Sequence, residues 1–469
     1  MILTIDGLDV TDRLLDSGNK VSADINDVFG MLAKVKSYPL RDYDDYFNPF
    51  SNDGLFALQN YRGREVIEID DSGVTVFRGT IQNVRETDTQ ECIVEAAEPL
   101  TIFLDWPVDA LDKTTYTGYL VNGAHTNPDT TIAVDTGTLS IPVGSVVYFG
   151  GSKVPSYFVT AVTPTSGATT SITLDRPIES DLADNATVVV AVPDTTTGPQ
   201  ALKDALTTSN PDILLDGTFD ILAASDLAAG YTIIINVAEQ DDVKLREHIS
   251  TLMEMCDLVL TQKNDGYYTL RRGLEWDGET ITDHLTDDEL CGPIEPDFDD
   301  SKLVIGYDLL YKTAANQAAV LTGDVDTAKV EKFRGIKYWR PLKTAASYSQ
   351  LKYIYANVTS AEYFGNRRLA YYDTPRTVIS CTAKPSYNDD ATRPLDLYLG
   401  KQVKISVRTF TNEPAIVVGL EYDKARIGYS RLVLQLNDVI MPATLPASYL
   451  LTESGEYLLT EDGQYIEVE

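Results

Sequence analysis

Alternating apolar and polar residues dominate the first hundred residues and predict antiparallel strands. Val66, Ile67 and Ile69 form one short apolar run, and residues 74–77 and 79–84 form the return run. The sequence Asp-Asp-Ser-Gly at 70–73 between them has the composition of a tight turn. A second ribbon is predicted for residues 91–100. The N-terminal region is therefore expected to be an antiparallel β-domain.

The pattern changes near Tyr116, where charged residues become scarce. Between Tyr116 and Leu174 the charged residues are Asp129, Asp135 and Lys153, and short runs rich in Thr, Val, Ser and Gly alternate with Gly and Pro turns. This composition predicts a small all-β module inserted into a different domain, with linkers at 113–116 and 193–199. A spacer or decoration is favoured over a saccharide-binding domain.

Helical periodicity follows the insert. Residues 201–209 predict a short helix, and Leu245, Ile249, Leu252, Cys256 and Val259 recur at intervals of three or four residues. His248 lies beside this stripe and is expected to be a surface or boundary residue, because no second His or Cys lies one turn away. A hairpin is predicted directly afterwards, around the Asn-Asp-Gly turn at 264–266.

The last third predicts one helix followed by four antiparallel strands. Thr359 and Ser360 are candidate N-caps of a helix that extends to about Tyr372, before the Asp-Thr-Pro at 373–375. Strands are predicted in the sequences RTVISCTA, LDLYLGKQVKISV, AIVVGLEYD and SRLVLQLND. Gly400 is expected in a tight turn and Gly419 at a β-bulge.

Charge and cysteine content exclude several classes of protein. The chain has 71 acidic and 38 basic residues and a net charge of −33, which disfavours broad attraction to nucleic acid or anionic lipid. Its four cysteines are far apart and it has three histidines, so neither a zinc site nor a disulfide framework is implied. No export signal or apolar stretch of membrane-spanning length is recognised, and a soluble protein is expected.

Two acidic segments were candidates for chemistry. The stretch 42–54 lacks the alternating ligand spacing and closing Glu of a calcium-binding EF-hand loop, so a solvated loop is predicted. The stretch 276–300 has ten carboxylates and no Lys or Arg. A pair among Glu279, Asp283, Asp287 and Glu289 could serve glycoside hydrolysis, but so dense a run is more typical of a solvated loop. No catalytic, cofactor-binding or metal-binding residue and no cofactor is predicted.

The C-terminal sequence repeats an eight-residue unit headed by Tyr449, Tyr457 and Tyr465. Each of the first two copies has an apolar pair and a turn at Ser-Gly or Asp-Gly, which predicts a short β-meander. So small a sheet is not stable alone in water. We expect it to add strands to the body of the chain, to another copy or to a different protein, with a frayed acidic tail as the alternative.

Two stretches of the chain resemble the tail hub, or tail-tip, proteins of tailed bacteriophages. This family is related to the hubs of contractile baseplates, gene transfer agents and type VI spikes. The first stretch is Gly-Arg-Glu-Val at 63–66 with Phe-Arg-Gly-Thr-Ile at 77–81, and it is similar to the first barrel of the family. The second comprises residues 371–376, 395–403, 418–419 and 432–434, and it is similar to the closing barrel. The helix and hairpin at 245–272 lie where such hubs carry one.

The resemblance implies a mainly β (α+β) fold with tandem tube-like antiparallel β-barrel domains, an inserted small all-β domain and a few short helices. The expected domains are a first hub barrel (1–112), the insert (113–197), a helix-plus-hairpin domain (198–275), a second hub barrel (276–440) and a C-terminal β-repeat tail (441–469).

The function implied by the resemblance is structural. A homotrimer would present six similar sheets around a channel, join the tail tube to the tip or baseplate, and let DNA pass during ejection. Its partners would be the distal tail or tube protein and a tip fibre or spike, and it would reside at the virion tail tip after assembly in the host cytoplasm. We further expect carboxylates on the channel wall, which would repel the genome.

Three alternatives to the hub remain open from the sequence. A tail-associated glycan hydrolase or lyase would need a convergent acid pair or metal site, and no Ser/His/Asp order, HExxH or Cys/His cluster is recognised. A receptor- or glycan-binding protein could use the Thr- and Gly-rich insert. A distal-tail or tube component would also be β-rich, but sixfold.

Overall fold

The computed structural model shows a mainly β protein with four α-helices among the residues it describes. These residues are 2–15, 20–24, 35–50, 53–57, 60–69, 73, 75–88, 90–104, 106, 115–135, 140–151, 155–164, 167–236, 243–273, 283–299, 304–324, 342–344, 352–372, 376–384, 397–407, 410–423 and 428–436. The C-terminal repeat and Glu279 lie outside them.

Among the described residues, the N-terminal region contains seven strands and two short 3-10 helices. The strands are β1 (Ile2–Ile5), β2 (Leu8–Asp9), β3 (Lys20–Asp24), β4 (Val35–Arg41), β5 (Glu65–Ile69), β6 (Thr75–Asp88) and β7 (Glu91–Ala97), and the 3-10 helices are Thr11–Arg13 and Pro99–Ile102. The ribbon predicted around residues 70–73 is confirmed by the antiparallel pairing of β5 with β6.

The insert is a closed six-stranded barrel. Its strands are β8 (Thr115–Val121), β9 (Thr131–Asp135), β10 (Val146–Phe149), β11 (Ser156–Thr163), β12 (Ser171–Leu174) and β13 (Thr187–Ala191), in the order β10-β11-β12-β9-β8-β13. Alternate residues of β9 and β12 are buried, as in a barrel whose interior is filled by side chains. Ile132, Val147 and Ile172 lie in this interior.

The described residues of the segment after the barrel, 194–236 and 243–273, contain three helices and a hairpin. In order these are β14 (Asp194–Thr196), α1 (Gly198–Ser209), α2 (Thr218–Ala229), β15 (Ile233–Ile235), α3 (Leu245–Met255), β16 (Leu258–Gln262) and β17 (Tyr268–Arg272). The predicted linker at 193–199 is wrong. Asp194–Thr196 pairs with β15, and the Thr197 hydroxyl accepts a hydrogen bond from the Gln200 amide as the cap of α1.

Further elements are described between residues 283 and 436. They are β18 (His284–Thr286), β19 (Leu290–Asp299), β20 (Val304–Lys312), β21 (Ala318–Asp324), β22 (Leu342–Thr344), β23 (Tyr353–Tyr355), α4 (Val358–Tyr372), β24 (Arg376–Ala383), β25 (Gln402–Val407), β26 (Phe410–Asp423) and β27 (Gly428–Leu436). The residue that caps α4 is Asn357, whose side chain accepts a hydrogen bond from the Ser360 amide at 2.7 Å. The cap predicted at Thr359 or Ser360 is therefore displaced by two or three residues.

A 13-stranded sheet joins the two ends of the chain. Its order is β19-β24-β27-β26-β3-β4-β7-β6-β5-β1-β2, with β25 on β26 and β18 on β25. Strand β3 lies between the N-terminal and C-terminal strands and pairs with β26 from Lys20 to Asp24. Two regions that are far apart in sequence therefore form one hydrogen-bonded surface.

A separate six-stranded sheet carries the inserted barrel. Its order is β14-β15-β23-β20-β21, with β22 on β20. Val143, Val146 and Phe158 of the barrel segment pack in one apolar cluster with Ile234, Leu310 and Ile354 of this sheet. The Asn316 side chain adds hydrogen bonds to the Ile141 carbonyl at 3.3 Å and from the Val143 amide at 3.4 Å. The barrel is fixed to the body through these contacts.

Candidate assembly surface

The 13-stranded sheet contains two four-stranded blocks with the same topology. We define the first block as β4, β5, β6 and β7, and the second block as β24, β25, β26 and β27. Sheet order is β5-β6-β7-β4 in the first block and β25-β26-β27-β24 in the second, and all six pairings are antiparallel. In each block the first strand in sequence therefore lies beside the fourth, as in a Greek key.

The two blocks also share their register. The pairing of β6 with β7 shifts between Ile81 and Asn83, and the pairing of β26 with β27 shifts between Val417 and Gly419. On the preceding pair, Thr80 faces Ala97 and Ile416 faces Gln435. The predicted bulge at Gly419 is confirmed, and it has a counterpart at the same step of the first block.

A glycine followed by a basic residue begins the second strand of each block in the same way. Gly63 has φ 80° and Gly400 has φ 81°, in the left-handed region that favours glycine. Gly63 donates to the Ile81 carbonyl at 3.0 Å, and Arg64 accepts from the Ile81 amide at 2.9 Å. Gly400 and Lys401 make the same two bonds with Val417, at 2.7 and 3.0 Å. The turn predicted at Gly400 is confirmed.

The cores of the blocks differ at one equivalent pair of positions. In the first block, Lys36 and Glu68 form a buried ion pair, and the Tyr38 hydroxyl donates to Glu68 at 3.1 Å. The shared register places Ile379 and Ile405 at the same two positions of the second block, and both are fully buried. The same backbone framework thus accommodates either a charged or an apolar pair.

The sheet is open, unlike the inserted barrel. Its last strands among the described residues are β2 at one end and β19 at the other. At the first end, Leu3 receives a hydrogen bond from Val10 and donates to the Thr11 hydroxyl, at 2.9 and 2.8 Å, so the edge of β1 is covered. At the other end, β19 contains Pro293 and Pro296 and pairs with β24 on one side.

The hairpin of β16 and β17 lies between the two blocks. The Asn264 side-chain amide donates to the Leu397 carbonyl at 3.2 Å, and the Arg271 guanidinium donates to the Gly400 carbonyl. On the other side, the Gly266 backbone lies against the side chain of Arg78 on β6. The predicted hairpin is confirmed, and its tip contacts both blocks.

The solvent side of the first block carries paired charges. Arg78 binds Glu65 at 2.6 Å, and Arg85 binds Glu95. In each of these pairs the basic side chain offsets the charge of the acidic one.

Of the four carboxylates considered for hydrolysis, two have structural roles. Asp283 is buried and forms an ion pair with Lys401, and Glu289 accepts hydrogen bonds from the backbone amide and hydroxyl of Thr286. Asp287 is exposed. The prediction of a solvated loop from 276 to 300 is wrong where β18 and β19 form, because pairing with β25 and β24 outweighs the local polarity.

The acidic loop after β4 is anchored rather than simply solvated. Asp42 is buried and accepts a hydrogen bond from the Phe47 amide at 2.9 Å, and burial raises the pKa of its carboxyl. Arg13 binds both oxygens of Asp44 at 2.6 and 2.8 Å, and this hydrogen bonding lowers the pKa of Asp44. Phe47 reaches the core of the first block. The predicted solvated loop is therefore correct only for the residues at its surface.

His248 is buried, which contradicts the prediction of a surface or boundary position. Its Nδ1 lies 2.7 Å from the Tyr353 hydroxyl, and burial lowers the pKa of the imidazole to about 4. Strand β23, which brings Tyr353 here, is more than a hundred residues away in sequence. Helix α3 also ends earlier than its apolar stripe indicates, since Val259 belongs to β16.

The described residues contain a cleft but no cluster of metal-binding side chains. No three of their His, Cys, Asp and Glu side chains converge as a metal site would require. A cleft of about 640 Å³ lies between Ser140 and Pro142 of the insert and residues 311–316 and 356–358, and its ionisable side chains are Tyr311 and Lys312. Among the described helices, none is long and apolar enough to cross a membrane.

Comparison with known proteins gives similarity at the level of solved structures. No family model matches the chain, and no curated protein matches it. It is similar to the tail protein from Neisseria meningitidis MC58, with 10% identity over 93% of this chain and 96% of that chain and a TM-score of 0.49. It is also similar to the 43 kDa tail protein of prophage MuSo2 from Shewanella oneidensis, with 9% identity, 93% and 97% coverage and a TM-score of 0.45.

A third similar structure is the prophage tail protein gp18 from Listeria monocytogenes EGD-e. Its identity is 12%, the coverage is 91% of this chain and 90% of that chain, and the TM-score is 0.42. All three are named as tail proteins, and two of them come from prophages.

Proposed function

We propose that this chain is a structural hub subunit of a phage tail tip or baseplate, and that three copies form a ring around a channel. The observation that carries the proposal is the duplication within one open sheet. Two blocks with the same strand order, the same bulge and the same glycine turn lie side by side in each chain. Three such chains present six similar blocks, which suits the junction of a sixfold tube with a threefold tip.

The open sheet supports assembly in place of a self-contained monomer. A closed barrel satisfies the backbone groups of its edge strands internally, as the inserted barrel does. The 13-stranded sheet does not close on itself. In a cyclic oligomer, its edge strands can pair with strands of the neighbouring subunits, so that no free edge remains. In the ring, the hub would contact the distal tail or tube protein on one side and a fibre or spike on the other, and it would have no catalytic role.

The mass of the purified protein tests the proposal. Mass photometry or native mass spectrometry should give three times the 51.7 kDa of one chain. Six copies would instead favour a distal-tail or tube component. A protein that remains monomeric at micromolar concentration would contradict the ring and would favour a receptor- or glycan-binding protein.

A further inference from the structure

The end of β6 in the first block lacks a neighbouring strand, whereas the equivalent end of β26 in the second block pairs with β3. In the second block, the start of β26 pairs with β25, and its end, Gly419–Asp423, pairs with β3 along the same edge. In the first block, β5 pairs with β6 only from Thr75 to Thr80. Among the described residues, no strand pairs with the end of β6 on this side.

The shared register identifies the free segment residue by residue. Thr80 corresponds to Ile416, and Asn83 to Gly419 after the bulge. The residues that correspond to Gly419–Glu421 are therefore 83–85, and 86–87 follow them along β6. Within this segment, Val84 is buried on the core side and Arg85 is exposed on the solvent side.

Strand β19, at the end of the same sheet, could supply the strand that β6 lacks. Strand β3 precedes β4 and pairs with it where Ser22 faces Val35. Strand β19 stands in the same relation to β24, where Asp297 faces Val378. Val35 and Val378 occupy equivalent positions, because they face Ala97 and Gln435. Strand β19 is thus the second-block equivalent of β3, and its outer edge has no paired strand among the described residues.

We infer that β19 of a second copy of this chain pairs antiparallel with residues 83–87 of β6. This inference rests on the proposed ring, in which the pairing is the joint between subunits. The joint repeats the contact that β3 makes with β26 inside each chain. Transfer of the β3–β26 register predicts that Val84 faces the partner's Phe298 and that Arg85 faces the partner's Asp297.

The residue types fit this register. The register of β19 with β24 places Phe298 and Pro296 opposite Thr377 and Ile379, which are buried. Asp297 alternates with them along β19, so the transferred register sets Val84 opposite an apolar residue and Arg85 opposite an acidic one.

The prolines of β19 are compatible with its pairing to one specific strand, since they disfavour pairing with unrelated strands. Proline removes one backbone donor and is confined to strand edges, where it discourages unspecific strand addition. At Pro296 the joint can use the carbonyl but not an N–H. One fewer hydrogen bond lowers the affinity of the edge for unrelated strands, while the neighbouring Phe298 retains both backbone groups.

Disulfide crosslinking tests the register. Facing residues in an antiparallel pair have Cβ atoms about 4.5–5.5 Å apart, and diagonal neighbours are about 7–8 Å apart. We would combine Arg85→Cys with Asp297→Cys in a Cys291→Ser background, because Cys291 lies on the same strand. The matched control combines Arg85→Cys with Glu295→Cys, two residues away on the same side. The three single-cysteine variants serve as further controls.

The expected result is a covalently closed trimer after mild oxidation of the Arg85→Cys/Asp297→Cys variant, at least tenfold more abundant than in the control. A reduced sample of trimer mass that forms no crosslink would overturn this joint and leave the proposed ring intact. Equal crosslinking in the control would overturn the register. A reduced sample that is monomeric would contradict the proposed ring itself, and the joint with it.

Discussion

At the scale of single residues, the first block has a buried ion pair in its core where the second block has two isoleucines. Lys36 and Glu68 are both buried and compensate each other, whereas Ile379 and Ile405 occupy the equivalent positions. Removing one charge of a buried pair leaves the other without compensation, while replacing both by apolar residues is often neutral or stabilising. The duplication within the chain therefore provides its own template for the replacement.

We predict that Lys36→Ile or Glu68→Ile alone will destabilise the first block by about 3–5 kcal/mol. The triple variant Lys36→Ile/Tyr38→Phe/Glu68→Ile should recover most of this loss, because Phe removes the hydroxyl that donates to Glu68. Urea unfolding of the four proteins would measure the effect. Single variants as stable as the parent, or a triple variant as unstable as the single ones, would refute the prediction.

His248 predicts a pH dependence of stability. Its folded pKa of about 4 lies below the unfolded value of 6.5. The unfolded chain therefore binds a proton first as the pH falls, and the free energy of unfolding decreases from about pH 6.5 towards pH 4, by about 3 kcal/mol in total.

His248→Gln should reduce the slope of unfolding free energy against pH between 6.5 and 5, since Gln keeps a hydrogen-bonding group near Tyr353 but does not titrate there. Denaturant unfolding at a series of pH values would measure it. Identical slopes in the two proteins would show that His248 does not carry this dependence.

At the scale of elements, the sequence predicts local pairs well and distant ones poorly. The hairpin around residues 264–266, the turn at Gly400 and the bulge at Gly419 follow from glycine and neighbouring residues, and all are present. Apolar residues lie on both the buried and the exposed faces of helix α2, where Ile221 and Leu227 are exposed. The helix therefore has no single apolar stripe, and periodicity does not detect it. The pairing of β3 with β26 and the burial of His248 depend on segments far apart in the chain, which composition does not reveal.

The attachment of the inserted barrel gives a prediction at this scale. Asn316→Gly preserves the positive φ of 54° but removes both side-chain hydrogen bonds to the barrel segment. We expect a loss of about 1–3 kcal/mol in the docking of the barrel, since the Val143 amide and Ile141 carbonyl lose their partner. Limited proteolysis should then release the barrel several-fold faster.

The matched control is Asn185→Gly, another positive-φ Asn, which is exposed on the barrel itself. It should leave the proteolysis rate unchanged. Equal rates for the parent and the Asn316→Gly variant would show that the apolar cluster alone holds the barrel.

At the scale of the whole molecule, the duplicated block is the feature on which the proposed ring depends. Each chain carries two equivalent blocks, an open sheet, and a hairpin that touches both blocks. The resemblance in the sequence predicts two barrel domains, whereas the structure shows two blocks within one open sheet; the sequence does not reveal their shared register or the strand that joins them. The net charge of −33 does not reveal which face borders a channel, and the solvent side of the first block is lined by paired charges.

Single-particle cryo-electron microscopy of the purified assembly tests the ring most directly. We predict a threefold particle with a central hole, in which the first and second blocks alternate around the circumference at near-sixfold positions. A particle in which only one of the two blocks borders the hole, or a monomer whose 13-stranded sheet closes on itself, would contradict the account.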